Sequence, residues 1–192
     1  MARGSFGESI IIRYTITNRD RKVIIRAPRQ SGDGTIVNDA IKDSFNELKD
    51  WLPFAQTLPT VEETEVNLRE AYINFFKRDS LRFLIFHKDT NDFIGVTSFE
   101  GLNWDIPKSH IGYWINTRFR GNGYMLEAVK GLCELGLNHI NFKRVEIRCE
   151  YTNLKSRSIP EKLGFELEGI LKNEDLSADG SKLTDTCIYA KV

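Results

Sequence analysis

The sequence predicts an α/β (α+β) domain built on one mixed sheet. Three observations carry this. Short β-branched and aromatic runs alternate with stretches of helical period. Runs that read as antiparallel pairs stand at both ends of the chain. A length of 192 residues is most simply one domain and is enough to bury a core. That domain spans residues 1–192, with residues 1–20 as an N-terminal extension that carries an extra strand.

In chain order, residues 10–17 (IIIRYTIT) and 22–26 (KVIIR) read as a hairpin across residues 18–21. Pro28 closes the second run, and residues 31–34 (SGDG) form a turn. Val37, Ile41, Phe45 and Leu48 recur at helical spacing, in a helix that stops before Pro53. Thr60-x-x-Glu63 is a capping box. The helix it opens runs to about Lys77, with Val66, Ala71, Ile73 and Phe76 as its apolar contacts. Residues 81–87 form a strand, 89–92 a turn and 93–99 the returning strand. Residues 101–108, with Trp104 and Pro107, are a loop.

The chain is organised around residues 111–137. A short strand, Ile111 to Ile115, leads through Asn116 and Thr117 into a basic, glycine-punctuated loop, Arg118-Phe119-Arg120-Gly121-Asn122-Gly123. A helix follows, with Leu126, Val129, Cys133, Leu137 and Ile140 along its stripe and Met125, Ala128, Leu132 and Leu135 flanking, a broad apolar surface that fits packing on a sheet. A glycine loop at a helix N-terminus makes an anion site, because first-turn N–H groups lack partners inside the helix and the dipole favours negative charge. Tyr124 and Met125 stand where a P-loop needs Lys and Ser/Thr, and Leu126 stands where a dinucleotide fingerprint needs its third glycine. Cys133 lies on the apolar stripe, as a small core residue rather than a nucleophile. His139 falls in the helix's last turn.

Residues 145–149 form the next strand and 150–153 a turn, with Asn153 as the cap of a helix. Pro160 interrupts that helix. Either it kinks it, or the regular turns start only at Pro160, with Ser158-x-x-Glu161 as the cap. Gly164 is the C′ glycine. Residues 165–171 and 184–191 close the domain as an antiparallel pair joined by a loop over 172–182.

With 27 Lys+Arg against 27 Asp+Glu, the net charge is zero, which argues against nucleic-acid and membrane-surface binding. Three cysteines, Cys133, Cys149 and Cys187, without a CxxC pair point to free thiols in a reducing, cytoplasmic setting. No apolar run reaches membrane-spanning length. The three histidines are isolated, so no metal site is expected. Neither a GxSxG elbow nor a Cys–His pair offers a nucleophile.

Arg118-x-x-Gly121-x-Gly123 resembles the [QR]-x-x-G-x-[GA] loop of the GNAT superfamily of N-acetyltransferases. Asn153-x-x-Ser156 and Glu161-Lys162-Leu163-Gly164-Phe165 resemble that family's N-x-x-S…E-K-L-G-F segment. Trp51-Leu52-Pro53-Phe54 and Gly112-Tyr113-Trp114 resemble the ribosomal-protein N-terminal acetyltransferase (RimJ/RimL-type) branch. The resemblance runs from about Lys22 to the C-terminus. It implies a mostly antiparallel sheet flanked by helices, in which two parallel strands near Tyr113 and Ile147 splay apart around the pantetheine arm. It also implies acetyl-CoA as cofactor, direct attack by an amine and a homodimer.

Residue by residue, it implies the following. Main-chain amides of Arg120, Gly121, Asn122, Gly123 and Tyr124 hold the pyrophosphate, and Arg118 or Arg120 adds a charged contact to phosphate. Amides near Trp114 and Ile115 stabilise the oxyanion. Ser156 is either a general acid toward the leaving sulfur or a helix-start cap. Asn153 either bonds pantetheine amides or ends the strand. Trp51 and Phe54 either line the acceptor pocket or anchor a loop to the core. Glu174 or Asp175 either draws the amine proton through a water or belongs to a solvated acidic loop. Glu100 and His110 are further candidate bases. The acceptor is a protein N-terminal amine or a small-molecule amine such as a polyamine, amino acid or antibiotic. A non-catalytic CoA-binding module is the third reading.

Overall fold

The computed structural model describes residues 22–192. The strand expected over residues 10–17 lies outside them. Among the described residues, seven strands form one sheet in the order β1-β2-β3-β4-β5-β7-β6. The strands are β1 (Val23–Arg26), β2 (Leu81–His87), β3 (Phe93–Asn103), β4 (Lys108–Ile115), β5 (Arg144–Glu150), β6 (Glu166–Leu176) and β7 (Leu183–Lys191). Every neighbouring pair is antiparallel except β4 with β5. Among the described residues four α-helices flank it: α1 (Gly34–Leu48), α2 (Val61–Lys77), α3 (Tyr124–Glu134) and α4 (Leu154–Lys162). Among the described residues no helix is long and apolar enough to cross a membrane.

Side chains alternate across a strand, and the core divides accordingly. Ile111 of β4 joins a cluster with Phe83 and Ile85 of β2, Ile147 of β5, and Met125, Val129 and Leu132 of α3. The even positions Leu84, Phe86 and Val96 meet Val37, Ala40 and Ile41 of α1 and Leu68 of α2, with Trp114 packed against them. Tyr113 and Trp114, adjacent in β4, therefore serve opposite faces of the sheet.

Helix α2 starts as expected: Thr60 Oγ1 accepts from the Glu63 amide at 3.1 Å, and Glu63 Oε2 accepts from the Thr60 amide at 2.8 Å. Its buried face differs from the expected one. Val66, Ile73 and Phe76 are about half exposed, and the buried positions are Thr64, Leu68, Ala71 and Phe75. Two apolar sets share the helical period, and the one facing the sheet wins, with Phe75 edge-on to Phe83 at 5.3 Å.

Helix α3 buries Val129 and Cys133 of the expected stripe together with its flanking apolar residues. Met125, Ala128, Val129 and Leu132 are buried with Cys133, while Leu126, Leu137 and Ile140 are only partly covered. The helix widens into a π turn over Leu135–Ile140. There a Cβ on Gly136 would meet Phe99 Cζ at 2.8 Å and Phe142 Cδ2 at 3.2 Å. The glycine lets the widened turn press against two aromatic rings.

Two expected boundaries move, and one open alternative closes. The loop over 101–108 shrinks to the turn between β3 and β4, because β3 runs on to Asn103. The loop over 172–182 shrinks too, because β6 continues to Leu176. Helix α4 starts after Asn153 and carries Pro160 inside it, so its turns do not wait for the proline.

Candidate functional site

The parallel pairing of β4 with β5 covers only Lys108↔Arg144, Ser109↔Val145 and His110↔Glu146. Beyond that the strands diverge. On its other edge β4 stays in register with β3, through Gly112↔Ser98, Trp114↔Val96 and the Asn116 amide donating to Ile94 O at 2.7 Å. An antiparallel ladder bonds alternate residues. The Trp114 amide is therefore directed to β3, whereas the amides of Tyr113 and Ile115 face the opening. Of the two amides expected for an oxyanion, Ile115 has the right direction.

A cleft of about 1200 Å³ runs along this opening. Part of its lining is the loop into α3. Gly121 and Gly123 adopt φ of +80° and +79°, a left-handed conformation that side chains with a Cβ resist. A Cβ on either would meet no atom within 4 Å, so backbone conformation, not crowding, demands glycine here. Gly123 is the N-cap of α3 and supplies no side-chain cap. The first-turn amides of α3 lack the cap that Thr60 gives α2 and Asn153 gives α4. The buried Thr117 hydroxyl on the same wall also has no partner. Uncapped donors, a bare hydroxyl and open space fit a bound phosphate ester.

Helix α1 holds this loop from behind. Ser44 Oγ accepts from the Thr117 amide at 2.9 Å. Asp43 pairs with Arg118 at 2.8 Å and Glu47 with Arg120 at 2.9 Å. Arg120, Gly121, Gly123 and Tyr124 line the cleft; Arg118 and Asn122 do not. The Asn122 amide nitrogen donates back to the carbonyls of Phe119 and Arg120 at 3.2 and 3.3 Å and so fastens the loop.

Ser156 lines the cleft from the first turn of α4, with Asn153 beside it. Its amide donates to Asn153 Oδ1 at 3.0 Å, so Asn153 is a cap and a cleft residue at once. Tyr113 reaches across from β4: its hydroxyl donates to Ser156 O at 2.9 Å and accepts from Ser156 Oγ at 3.2 Å. Burial raises the Tyr113 phenol above its usual pKa. Burial also pushes the Cys149 thiol, another lining residue, up to about 11, which favours the protonated form.

Trp51, Leu52 and Pro53 and, from β6, Glu174, Asp175 and Leu176 also line the cleft. A bulge brings the acidic pair here: β6 runs Leu171↔Thr186 and then Asp175↔Thr184, with Asn173 at φ +52°. Bulges re-aim side chains beside sites. Asp185 fixes this one through the Asn173 amide at 3.0 Å and Lys172 Nζ at 2.7 Å. Asp175 Oδ1 is taken by the Leu176 amide at 2.8 Å.

Besides Arg118 and Asn122, three expected residues stay outside the cleft lining. Phe54 lies 6.4 Å from the Trp114 ring and steadies the loop after α1. Glu100 and His110 pair with each other at 3.8 Å across β3 and β4. Sequence reasoning passed over Tyr113, Glu150, Lys155 and Lys162 as cleft residues. For Tyr113 a signal existed: strand alternation puts it on the Ser156 side, opposite Trp114.

A family model described as "Acetyltransferase (GNAT) domain" matches residues 22–166. The chain belongs to the GNAT acetyltransferase family. The GNAT domain is thus an acyltransferase whose cofactor is acetyl-CoA, and its uncapped phosphate loop fits that group. The chain is 32% identical over 109 residues to the uncharacterised N-acetyltransferase p20 of Bacillus licheniformis, covering 57% of this chain and 60% of that protein. It is 27% identical over 148 residues to the ribosomal-protein-serine acetyltransferase of Escherichia coli (strain K12), covering 75% of this chain and 80% of that one. In fold it resembles the solved structure of RimL, a ribosomal L7/L12 α-N-protein acetyltransferase in complex with coenzyme A. The TM-score is 0.83 at 22% identity, over 91% of this chain and 96% of that one.

Proposed function

We propose that this GNAT chain moves acetyl from acetyl-CoA directly onto a protein N-terminal α-amine of the ribosomal-protein type. The observation that carries the reading is the continuity of the cleft. Its lining joins the bare first turn of α3, the splayed edge of β4 and Ser156 to Trp51 and the bulged β6 in one continuous cavity. Trp51 and Leu176 are exposed, by 38% and 56%, as a peptide terminus needs. The E. coli relative named for ribosomal-protein serine acetylation supports the acceptor class.

Acetyl-CoA supplies an activated thioester carbonyl. The α3 first-turn amides and the Arg120–Tyr124 backbone hold its diphosphate. The Ile115 amide, directed into the opening, stabilises charge that builds on the carbonyl oxygen. Ser156 Oγ donates a proton at the sulfur end. Glu174 and Asp175 stand at the acceptor end, where a carboxylate takes a proton from the incoming ammonium through a water.

A second reading, a small cationic amine as acceptor, has in its favour the carboxylates Glu150, Glu174 and Asp175 in the cleft lining. One experiment separates the two. Peptides with free N-termini and a panel of polyamines and aminoglycosides are incubated with the protein and acetyl-CoA, and products are read by mass spectrometry. Acetylated peptide N-termini support the first reading. Acetylation of small amines alone replaces it, and no acetylation of either class rejects both.

A further inference from the structure

Proline at position 160 removes a backbone donor. In an α-helix its N–H would bond the carbonyl four residues earlier, which here is Ser156. Yet α4 runs from Leu154 through Lys162. The Ser156 carbonyl is thus denied its helical partner at the one residue of α4 proposed to handle a proton. A buried carbonyl left without a donor is destabilising. The Tyr113 hydroxyl fills that vacancy, donating to Ser156 O at 2.9 Å.

We infer that Tyr113 is the positioning residue for Ser156: its phenol takes the carbonyl that Pro160 leaves unpaired and thereby fixes where the serine hydroxyl points. This rests on the acetyl-transfer reading and names a further residue for it.

Each polar group of Ser156 is held from outside the regular helix ladder. Asn153 Oδ1 accepts from the amide at 3.0 Å, and Tyr113 serves both the carbonyl and Oγ. Tyr113 comes from β4, on the far side of the opening, so the contact also sets the distance between β4 and α4 where the strands have parted. A phenol has one proton, and Tyr113 commits it to Ser156 O. Its oxygen can then only accept from Ser156 Oγ, and the serine proton rests there until the hydroxyl turns into the cleft. Burial makes the phenol a poorer acid than usual, so it orients the serine and is not itself the proton source. An ordinary residue at position 160 would close the helix bond and free Tyr113 to rotate.

The test is a cycle of four proteins: wild type, Tyr113→Phe, Pro160→Ala and the double variant. Steady-state kcat and KM are measured with an acceptor from the panel above, and CoA affinity by calorimetry. Tyr113→Phe is expected to lower kcat by about 10- to 100-fold, part of what an acid–base group contributes, with the acetyl-CoA KM within about threefold. The double variant regains a backbone N–H for Ser156 O and recovers at least about fivefold of that kcat. A Tyr113→Phe protein with wild-type kcat, or a double variant with no recovery while both bind CoA normally, overturns the inference. If wild type binds CoA but acetylates nothing, the acetyl-transfer reading fails instead. The same cycle is therefore also read as urea midpoints. Tyr113→Phe must cost more midpoint in the wild-type background than in the Pro160→Ala background, and equal losses overturn the pairing whatever the activity.

Discussion

Glu47 Oε1 accepts from Arg120 Nη2 at 2.9 Å, tying the last turns of α1 to the loop that opens α3. Asp43, one turn earlier, does the same for Arg118 at 2.8 Å. Both arginines of the loop motif are thus already partnered; only Arg120 lines the cleft, so incoming diphosphate competes with one carboxylate, Glu47. Glu47→Gln removes that competitor. CoA affinity by calorimetry should rise about two- to fivefold, in line with one exposed ion pair, and stability should change by less than about 1 kcal/mol. Weaker CoA binding would mean that the pair shapes the loop rather than competing for it.

Gly123→Val tests the loop's backbone. At φ +79° a side chain with a Cβ costs about 1–2 kcal/mol, and β-branching adds to it. Relaxation toward negative φ turns the first amides of α3 away from the cleft. CoA titration should show at least about a tenfold loss of affinity, while the urea midpoint falls only by the strain. Uptake equal to that of wild type would remove the phosphate site from this loop.

Ser156→Ala leaves the amide bond to Asn153 in place and removes only the hydroxyl. Turnover should fall about 100-fold, the low end for an acid–base group, with unchanged CoA affinity. At the other end, Glu174→Gln should cost more kcat at neutral pH than Asp175→Asn, because Asp175 Oδ1 already accepts from the Leu176 amide. The reverse order in steady-state rates would assign the proton to Asp175.

Asp33 provides a pH-dependent clamp between β1 and α1. It is 2% exposed and accepts from Arg26 Nη1 and Nη2 at 2.9 and 2.6 Å and from the Arg29 amide at 2.8 Å. Burial alone would raise its pKa, but the Arg26 and Arg29 bonds outweigh that and hold it below the ordinary value. A lowered carboxyl pKa gives stability that is present above the unfolded value and lost as pH falls through the folded one. Asp33→Ala should cost about 3 kcal/mol in urea unfolding at pH 7, for it strands a partly buried guanidinium. The difference from wild type should shrink below about pH 4. A constant difference down to pH 3 would exclude the linkage.

The parts legible in the sequence were those whose signals are local. Thr60-x-x-Glu63 capped α2, β2 ran over its expected seven residues, and the glycine loop opened α3, because each is decided by residues within a few positions. What failed depended on distant partners. Val66, Ile73 and Phe76 keep helical spacing as well as Leu68 and Phe75 do, and only the sheet chooses between them. The continuation of β6 to Leu176 depends on Asp185 of β7 fastening a bulge. Pro160 announced a missing N–H, but which group would replace it depended on a strand far earlier in the chain, at Tyr113. Within the candidate site the cofactor end was legible as a motif. Which alternative holds for Arg118 and Phe54 was not legible, because their partners, Asp43 and Trp114, are near only in space.

The short β4–β5 ladder has a mechanical meaning. Strands β1 to β4 and strands β5 to β7 are two rafts of sheet, moored to each other by three residue pairs. An amide-bearing arm laid between them would act as a suture. At about a hundred times its dissociation constant, any ligand specific to the folded form adds about 2.7 kcal/mol to its stability. The solidity of the whole domain then reports how much coenzyme surrounds it.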